Sequence, residues 1–384
     1  MQTELPLADA TRRALAATRM PLKEATTLPG SCYTDVQVFS LEQAELFASA
    51  WHIVARAEDL PKVGSYRRVE VDGESILLLR GEEGVRAWYN VCLHRGSRLL
   101  DAAAGEVKQI RCPYHAWCYD LDGRLTHVPR QAPSAQTRRL HPVRLAEWGG
   151  YLLVNLDPAA PALEQCWRDL PDLSPYRMAS LRRAHVERYE VAANWKLICE
   201  NYSECYHCPG AHPQLSKLSD YLADHAHSGV FMGEAYNGGP MRLRDGYSTM
   251  SMSGQARLPG STMLDDEACR LVHYYLVYPN LFVSPHPDYV LMHWLTPLAP
   301  DRTRVECEWL VAPEGLRMGE AIADVVEFWH LTNRQDWVLC ERNHAGVASR
   351  AYQPGHYHES EACVHAFDHW YADWLTRAAG GGAG

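Results

Sequence analysis

The chain has 384 residues, 47% of them apolar and 22% charged, the balance of an ordinary globular protein with room for two domains and sizeable cores. A net charge of −10 disfavours nucleic acid or an anionic membrane as a partner, and no run approaches the ~20 apolar residues of a membrane span. Twelve cysteines behind a start (Met1–Arg13) with no apolar signal core read as thiols and metal ligands of a cytoplasmic protein, not as a disulfide framework.

In chain order, residues 1–46 form an N-terminal segment of helical character, punctuated by Pro21 and Pro29. Ser40-Leu41-Glu42-Gln43 has capping-box spacing and predicts a helix running to about Trp51. The texture then turns to short β-rich runs at Tyr66–Val71, Ser75–Leu79, Val85–Val91 and Tyr151–Leu156, separated by Asp72-Gly73 and Glu83-Gly84 turns. These predict a small antiparallel β domain over 47–157, closed by the Pro-containing Asp157–Pro161. Residues 158–379 predict a larger domain. It has a helix around Asn194–Tyr206, an irregular stretch over 215–265, strands at Leu271–Tyr278, Val290–Thr296 and Arg304–Val311, and a long helix from about Gly319 to His344. Strands with flanking helices make this an α+β protein with an antiparallel sheet. The Gly380–Gly384 tail is of low complexity and is expected to be disordered.

Two constellations carry chemistry. Cys92-Leu93-His94 is followed, after seventeen residues, by Cys112-Pro113-Tyr114-His115. A Rieske [2Fe–2S] centre needs two thiolates on one iron and two imidazoles on the other. Here each short pair supplies one ligand of each kind, so two loops pinched together complete the set. Zinc also takes Cys₂His₂, but zinc fingers group their cysteines and their histidines, whereas here the two alternate. Cys118, just outside the motif, reads as a buried structural thiol.

The second constellation is Glu204-x-x-His207-x-x-x-x-His212. Histidines five apart do not share one face of a continuous helix, but a helix ending near Cys208-Pro209-Gly210 could bring both rings to one ion. Two neutral imidazoles and a carboxylate on one octahedral face leave positions open for O₂, the arrangement of non-haem Fe(II) oxygenases. Taken alone, two satisfied histidines at a helix end are the commoner explanation. For the carboxylate, Phe328, Thr332, Asp336 and Cys340 fall in one i, i+4 row of the long helix. An acid in a mostly apolar row is costly unless it is paired or metal-bound. Arg334 or Arg342 is the ordinary partner to set against a metal, and Asp324 and Glu341 are weaker candidates for the ligand.

At these residues the chain resembles the Rieske non-haem iron oxygenases, over about residues 30 to 375. Cys92-Leu93-His94-Arg95-Gly96 and Cys112-Pro113-Tyr114-His115-Ala116-Trp117 match that family's two cluster loops. Glu200–Pro213, Tyr278–Asp288 and Asn333–Glu341 are similar to the branch containing glycine betaine, stachydrine and carnitine oxygenases. One departure is Glu204, where most members carry Asp; some quaternary-ammonium oxygenases share the glutamate. The resemblance implies an oxygenase subunit with a [2Fe–2S] cluster on Cys92, His94, Cys112 and His115, and an Fe(II) on His207, His212 and Asp336. It also implies a separate NAD(P)H-dependent reductase of flavin or ferredoxin type, and O₂ consumed as a monooxygenase or dioxygenase. It further implies a homotrimer, or an assembly of trimers, in which Glu204 bridges the iron site to His115 of the next subunit.

The chain has no G-x-G-x-x-G after a strand and no second Cys₄ pattern for a further cofactor. An electron carrier with an empty second site is the alternative of another class, and two irons per chain instead of three would distinguish it. For substrate, the resemblance implies N-demethylation of a small quaternary ammonium compound. The 20 Tyr and 12 Trp against 6 Phe are compatible with an aromatic cage. Candidate substrate residues are Asn201, Tyr202, Tyr206, Tyr236 and Trp294. The rival is an aromatic or heterocyclic ring in an apolar pocket, to which Met232, Met263 and Met292 could contribute.

Overall fold

In the computed structural model, which describes residues 9–130, 138–220 and 231–380, the chain divides into two units. One is residues 46–166. The other joins the described residues up to 45 to those from 167 onward, so the N-terminal segment belongs with the larger unit.

The smaller unit is antiparallel throughout. Its strands are β1 (His52–Arg56), β2 (Ser65–Val71), β3 (Glu74–Gly81), β4 (Gly84–Tyr89), β5 (Ala104–Glu106), β6 (Ile110–Arg111), β7 (Cys118–Tyr119), β8 (Leu125–His127), β9 (Pro142–Trp148) and β10 (Tyr151–Asn155). Seven form a sheet in the order β1-β10-β9-β4-β3-β2-β5, and β6-β7-β8 form a second, small sheet. Asp72 and Gly73, at φ 48° and 76°, make the tight turn between β2 and β3 that the Asp-Gly pair predicts. Strand alternation makes β3 two-sided: Ile76 and Leu78 pack with Val71, Ala87, Leu152 and Val154. Leu77 and Leu79 pack with Trp88, Ile110, Tyr119, Cys92 and Cys112. The loops bearing the cluster motif are therefore the second layer on this sheet.

The larger unit is built on β11 (Arg182–Val191), β12 (Phe231–Met232), β13 (Tyr236–Arg242), β14 (Leu271–Val277), β15 (Leu281–Pro285), β16 (Val290–Ala299) and β17 (Arg302–Val311). They run antiparallel in the order β11-β17-β16-β15-β14-β13-β12. Three helices matter for the site: the site helix Trp195–Tyr202, the long helix Gly319–Val347 and the C-terminal helix Ala362–Ala379. The long helix and the late strands fall where their patterns predict. The irregular stretch does not stay irregular, since it contains the helix Pro213–Leu218 and β13. Its residues 221–230, like 381–384 of the tail, lie outside the described residues.

Two helix expectations need correction. Ser40 is no cap: its hydroxyl donates to the Val36 carbonyl at 2.8 Å, inside a helix that spans Val36–Leu41. Asp35 caps that helix by accepting from the Gln37 N–H at 2.7 Å, and a π-helical turn continues it from Glu42 to Phe47. The helix expected over Asn194–Tyr206 ends at Tyr202. Asn194 caps its start through the Lys196 N–H at 3.1 Å, and the Ser203 hydroxyl takes up the Cys199 carbonyl at 2.7 Å where it ends.

The N-terminal segment is tied to the site helix by buried charge. Glu42 accepts from Lys196 Nζ at 2.6 Å with both side chains at 0% exposure, from Trp195 Nε1 at 2.9 Å, and from the Tyr371 hydroxyl. Tyr33 donates to Glu200 at 2.8 Å. A buried ion pair offsets its desolvation only when its remaining lone pairs are satisfied, as these are.

Candidate metal centres

The two cluster loops repeat one backbone device. The Cys92 N–H donates to the Ser97 carbonyl and the Cys112 N–H to the Trp117 carbonyl, both at 2.8 Å. Four residues after each cysteine a residue adopts the left-handed conformation, Gly96 at φ 72° and Ala116 at φ 57°, and its N–H returns to the cysteine carbonyl. Each loop thus curls around its own cysteine and turns its histidine outward.

His94 Nδ1 and His115 Nδ1 stand 3.1 Å apart. Trp117 stacks on His94 at 4.8 Å and Tyr114 on His115 at 3.8 Å. The cysteines lie deeper, and the Tyr119 hydroxyl contacts Cys92 Sγ at 3.2 Å. Burial raises the Cys92 thiol. At Cys112 burial acts the same way, but the Tyr114 and His115 N–H groups and the Ser97 hydroxyl outweigh it and lower that thiol. Buried sulfurs facing N–H donors, with two imidazole nitrogens converging at the surface, fit a cluster with one thiolate iron and one histidine iron. Cys118 is buried, as expected of a structural thiol.

In the larger unit the chain leaves the site helix at Ser203. It passes through Glu204 and His207 into the short helix Cys208–Ala211, and turns at His212 into Pro213–Leu218. This break lets histidines five apart meet, with His207 Nε2 3.1 Å from His212 Nε2. Asp336 Oδ1, from the long helix, lies 2.8 Å from His212 Nε2 and 3.2 Å from His207 Nε2. Three donors each ~2.1 Å from an ion and at right angles stand ~3.0 Å apart, so these spacings fit one face of an octahedron. Both rings are aimed from behind: His212 Nδ1 donates to Gln335 Oε1 at 2.8 Å, and His207 Nδ1 to Glu204. Glu204 also accepts the Tyr206 and His207 N–H groups.

The electrostatics ask for a cation. Burial alone would depress the His207 imidazole, but Asp336 and Glu204 push it up to about 10, and Asp336 likewise raises His212 against burial. The ordinary partners weighed for Asp336 do not take it, because both its ion pairs are to histidines. Asp324 binds Ser253, and Glu341 accepts the Ala192 N–H at 3.1 Å, so neither reaches the site.

Ten of the twelve cysteines are free, as expected, and two depart from that expectation. Cys205 and Cys208 form a disulfide across the His207 loop, because their three-residue spacing holds the Cα atoms 4.9 Å apart. The Cys208 sulfur lies by both histidines but is not a free thiol.

A cavity of about 130 Å³ opens beside the triad. Of the candidate substrate residues, Asn201 and Tyr202 line it. Tyr202 stacks on Phe282 at 4.0 Å and shares a hydrogen bond of 2.8 Å with Ser284 Oγ. Tyr206, Tyr236 and Trp294 do not line it. Tyr206 is 57% exposed and stacks on His358. Tyr236 packs against Tyr275, and Trp294 donates to Glu306 at 3.1 Å. Met232 and Met263 are exposed and Met292 is buried elsewhere in the core, whereas Met241 does reach the cavity.

The lining residues that sequence reasoning missed include Tyr274, Phe282, His293, Trp329, Asn333 and Trp337. Trp329 and Asn333 share the helical face of Asp336, a signal that was present. Burial pushes His293 down to about 4, so its imidazole is neutral.

Residues 50–147 match the family described as Rieske [2Fe-2S] domain, and residues 178–377 the family described as ring hydroxylating alpha subunit (catalytic domain). The glycine betaine monooxygenase oxygenase subunit of Chromohalobacter salexigens is 34% identical over 91% of this chain and 86% of its own length. The carnitine monooxygenase oxygenase subunit of Escherichia coli is 40% identical over 50% of this chain and 54% of its own length. Among solved structures, the quaternary ammonium Rieske monooxygenase CntA with an inhibitor superposes at a TM-score of 0.73 with 25% identity, over 94% of this chain and 98% of that one. Naphthalene 1,2-dioxygenase from Rhodococcus has the same fold, with a TM-score of 0.73 at 19% identity, over 98% of this chain and all of that one. No helix among the described residues is long and apolar enough to cross a membrane.

Proposed function

Because this chain belongs to the Rieske-type ring-hydroxylating oxygenase alpha subunits, with a [2Fe–2S] cluster, a mononuclear Fe(II) and electrons from a separate reductase, we propose that it demethylates a small quaternary ammonium compound of the betaine type. Cys92, His94, Cys112 and His115 would hold the cluster, and His207, His212 and Asp336 would hold the iron. When bound, the cluster stores single electrons and the iron activates O₂. The overall change uses O₂, two electrons and two protons to convert one N-methyl group to N-hydroxymethyl and water. The carbinolamine then loses formaldehyde and a proton, leaving the tertiary amine.

The observation that carries this reading is the cavity wall. The Tyr202 ring, stacked on Phe282, faces a space also lined by Tyr274, Trp329 and Trp337 and by the metal-site residues Glu204 and Asp336. No Lys or Arg lines it among the described residues. An aromatic wall without Lys or Arg favours a methylated ammonium, a contact of roughly 0.5–2 kcal/mol per ring. The relatives named for glycine betaine and carnitine support the same class.

The test is reductase-coupled turnover of glycine betaine, carnitine and choline beside simple aromatic acids, with formaldehyde and ring-hydroxylated products followed separately. Formaldehyde from a methylammonium compound is expected. Tyr202→Leu should raise KM for it about tenfold or more with both metals retained. Ring hydroxylation with no formaldehyde from any methylammonium compound would transfer the protein to the aromatic class.

We further infer a homotrimer in which Glu204 joins His207 to His115 of the neighbouring subunit, as a carboxylate accepting from both imidazoles. The glutamate already accepts from His207 Nδ1 and is 12% exposed at its side chain, which leaves a lone pair for a second donor. Glu204→Gln keeps the shape and loses the charge. With both metals in place and substrate present, reoxidation of the reduced cluster by O₂ should slow roughly 100-fold, the upper range for a group orienting a metal-bound histidine. Single-turnover electron transfer at the wild-type rate would remove the bridge.

A further inference from the structure

The ligand loops of the smaller unit sit in a field of opposite sign to the chain as a whole. Between Cys92 and His141 there are eight Lys and Arg against four Asp and Glu, in a chain of net charge −10. All eight cations are exposed. The carboxylates are engaged by other groups: Glu106 pairs with Lys62 at 2.9 Å and Asp122 with Arg86 at 3.0 Å, while Asp120 accepts the N–H groups of Asp122 and Arg124. Asp101 stands 3.9 Å from Arg98. Arg111, Arg124, Arg138 and Arg139 form no ion pair among the described residues.

Their placement follows the ligands. Arg95 succeeds His94 and lies 5.6 Å over the ring of Tyr114, which stacks on His115. Arg111 immediately precedes Cys112 on β6. Arg124 and Arg139 face each other across an isolated antiparallel bridge, and the Leu125 N–H donates to the Arg138 carbonyl beside it. Like charges directly opposite on paired strands repel. Asp120 takes up only the Arg124 backbone N–H and Arg139 lies 5.9 Å over the Trp88 ring, so neither guanidinium is neutralised and an approaching anionic surface relieves the repulsion.

The cluster has to receive its electrons from a separate protein, and such redox encounters are small, weak and steered by charge. We propose that the exposed basic surface beside the cluster loops, centred on Arg111, Arg124, Arg138 and Arg139, is the docking face for an acidic electron-transfer protein. In each encounter the donor is oxidised by one electron and the cluster is reduced by one. The surface acts on the encounter rate and leaves the cluster's own chemistry unchanged.

The probe is an acidic plant-type [2Fe–2S] ferredoxin, photoreduced and mixed anaerobically with the oxidised protein while the Rieske absorption is followed. With wild type, the second-order rate should fall steeply as salt shortens the Debye length from ~30 Å at 0.01 M to ~10 Å at 0.1 M. Arg124→Glu combined with Arg139→Glu should lower the low-salt rate roughly tenfold or more, flatten the salt dependence, and weaken ferredoxin binding in calorimetry. The visible spectrum, the reduction potential, the extent of reduction by dithionite and the oligomeric mass should stay as in wild type. Arg317→Glu, an exposed reversal in the larger unit, should leave the ferredoxin rate unchanged. A wild-type rate insensitive to salt, or equal rates in wild type and the double variant, overturns the proposal. Loss of the oligomer with the ferredoxin rate retained also overturns it, by assigning the surface to contacts between copies of this chain.

Discussion

Replacing Asp336 with alanine is expected to bring iron from about three to about two per chain and to lower turnover at least on the order of 10³-fold, with the Rieske spectrum intact. The carboxylate is the one anionic donor in a set whose other members are two imidazoles, and its Oδ1 is common to both short contacts, 2.8 Å to His212 and 3.2 Å to His207. Its loss opens one corner of the octahedral face and removes charge that balances a divalent ion. The fold should tolerate the change. In the metal-free chain Asp336 is one of two carboxylates that hold His207 up at about 10, and without it the buried imidazoles return toward their neutral forms, leaving no stranded charge. Asp336→Asn keeps the shape and offers a neutral oxygen in place of the anionic one, and should retain more iron than alanine. Metal analysis together with single-turnover product yield decides the matter; wild-type iron content and turnover in the alanine variant would refute the ligand assignment.

Exchanging Cys112 for serine should bleach the visible charge-transfer bands and abolish reduction by any protein donor, while the mononuclear iron remains. A thiolate is a ligand because it deprotonates on binding; a serine hydroxyl under the same N–H donors does not. The environment of Cys112 already favours the anion, since the Tyr114 and His115 N–H groups and the Ser97 hydroxyl outweigh burial there. Should this variant lose the fold of the small unit along with its cluster, His115→Cys provides the second reading. It offers sulfur where nitrogen stood, and is expected to keep a [2Fe–2S] cluster with a potential lower by on the order of 100 mV or more, because histidine ligation is what raises Rieske potentials. A complete Rieske spectrum in Cys112→Ser sinks the assignment, and an unshifted potential in His115→Cys excludes His115 as a ligand.

Some of this was legible because it is local. Each cluster pair lies within one turn-forming loop, so Cys92-x-His94 and Cys112-x-x-His115 specify four donors before any packing is known. Asp336 was readable as a candidate from helical periodicity, since Thr332 and Cys340 at i±4 and Phe328 at i−8 are all buried, as the row predicts. The family resemblance also rested on such short stretches.

Beyond the loops, local pattern ran out at the strands. A strand turns successive side chains to opposite faces, and only the helices laid on one face decide which set looks into the cavity. Trp294 was the aromatic singled out on β16, yet its neighbour His293, paired with Phe282 on β15, faces the site while Trp294 bonds to Glu306. On β13 Asn237 lines the cavity while its neighbour Tyr236 packs against Tyr275. The sequence by itself thus determined the α+β class and marked the candidate ligands of the two metal sites. The aromatic wall, the aim of His212 through Gln335 and the attachment of the N-terminal segment through Glu42 and Lys196 were decided only by tertiary structure. Their partners lie 123 and 154 residues apart in the chain, and no spacing rule reaches across a sheet whose covered face is set elsewhere.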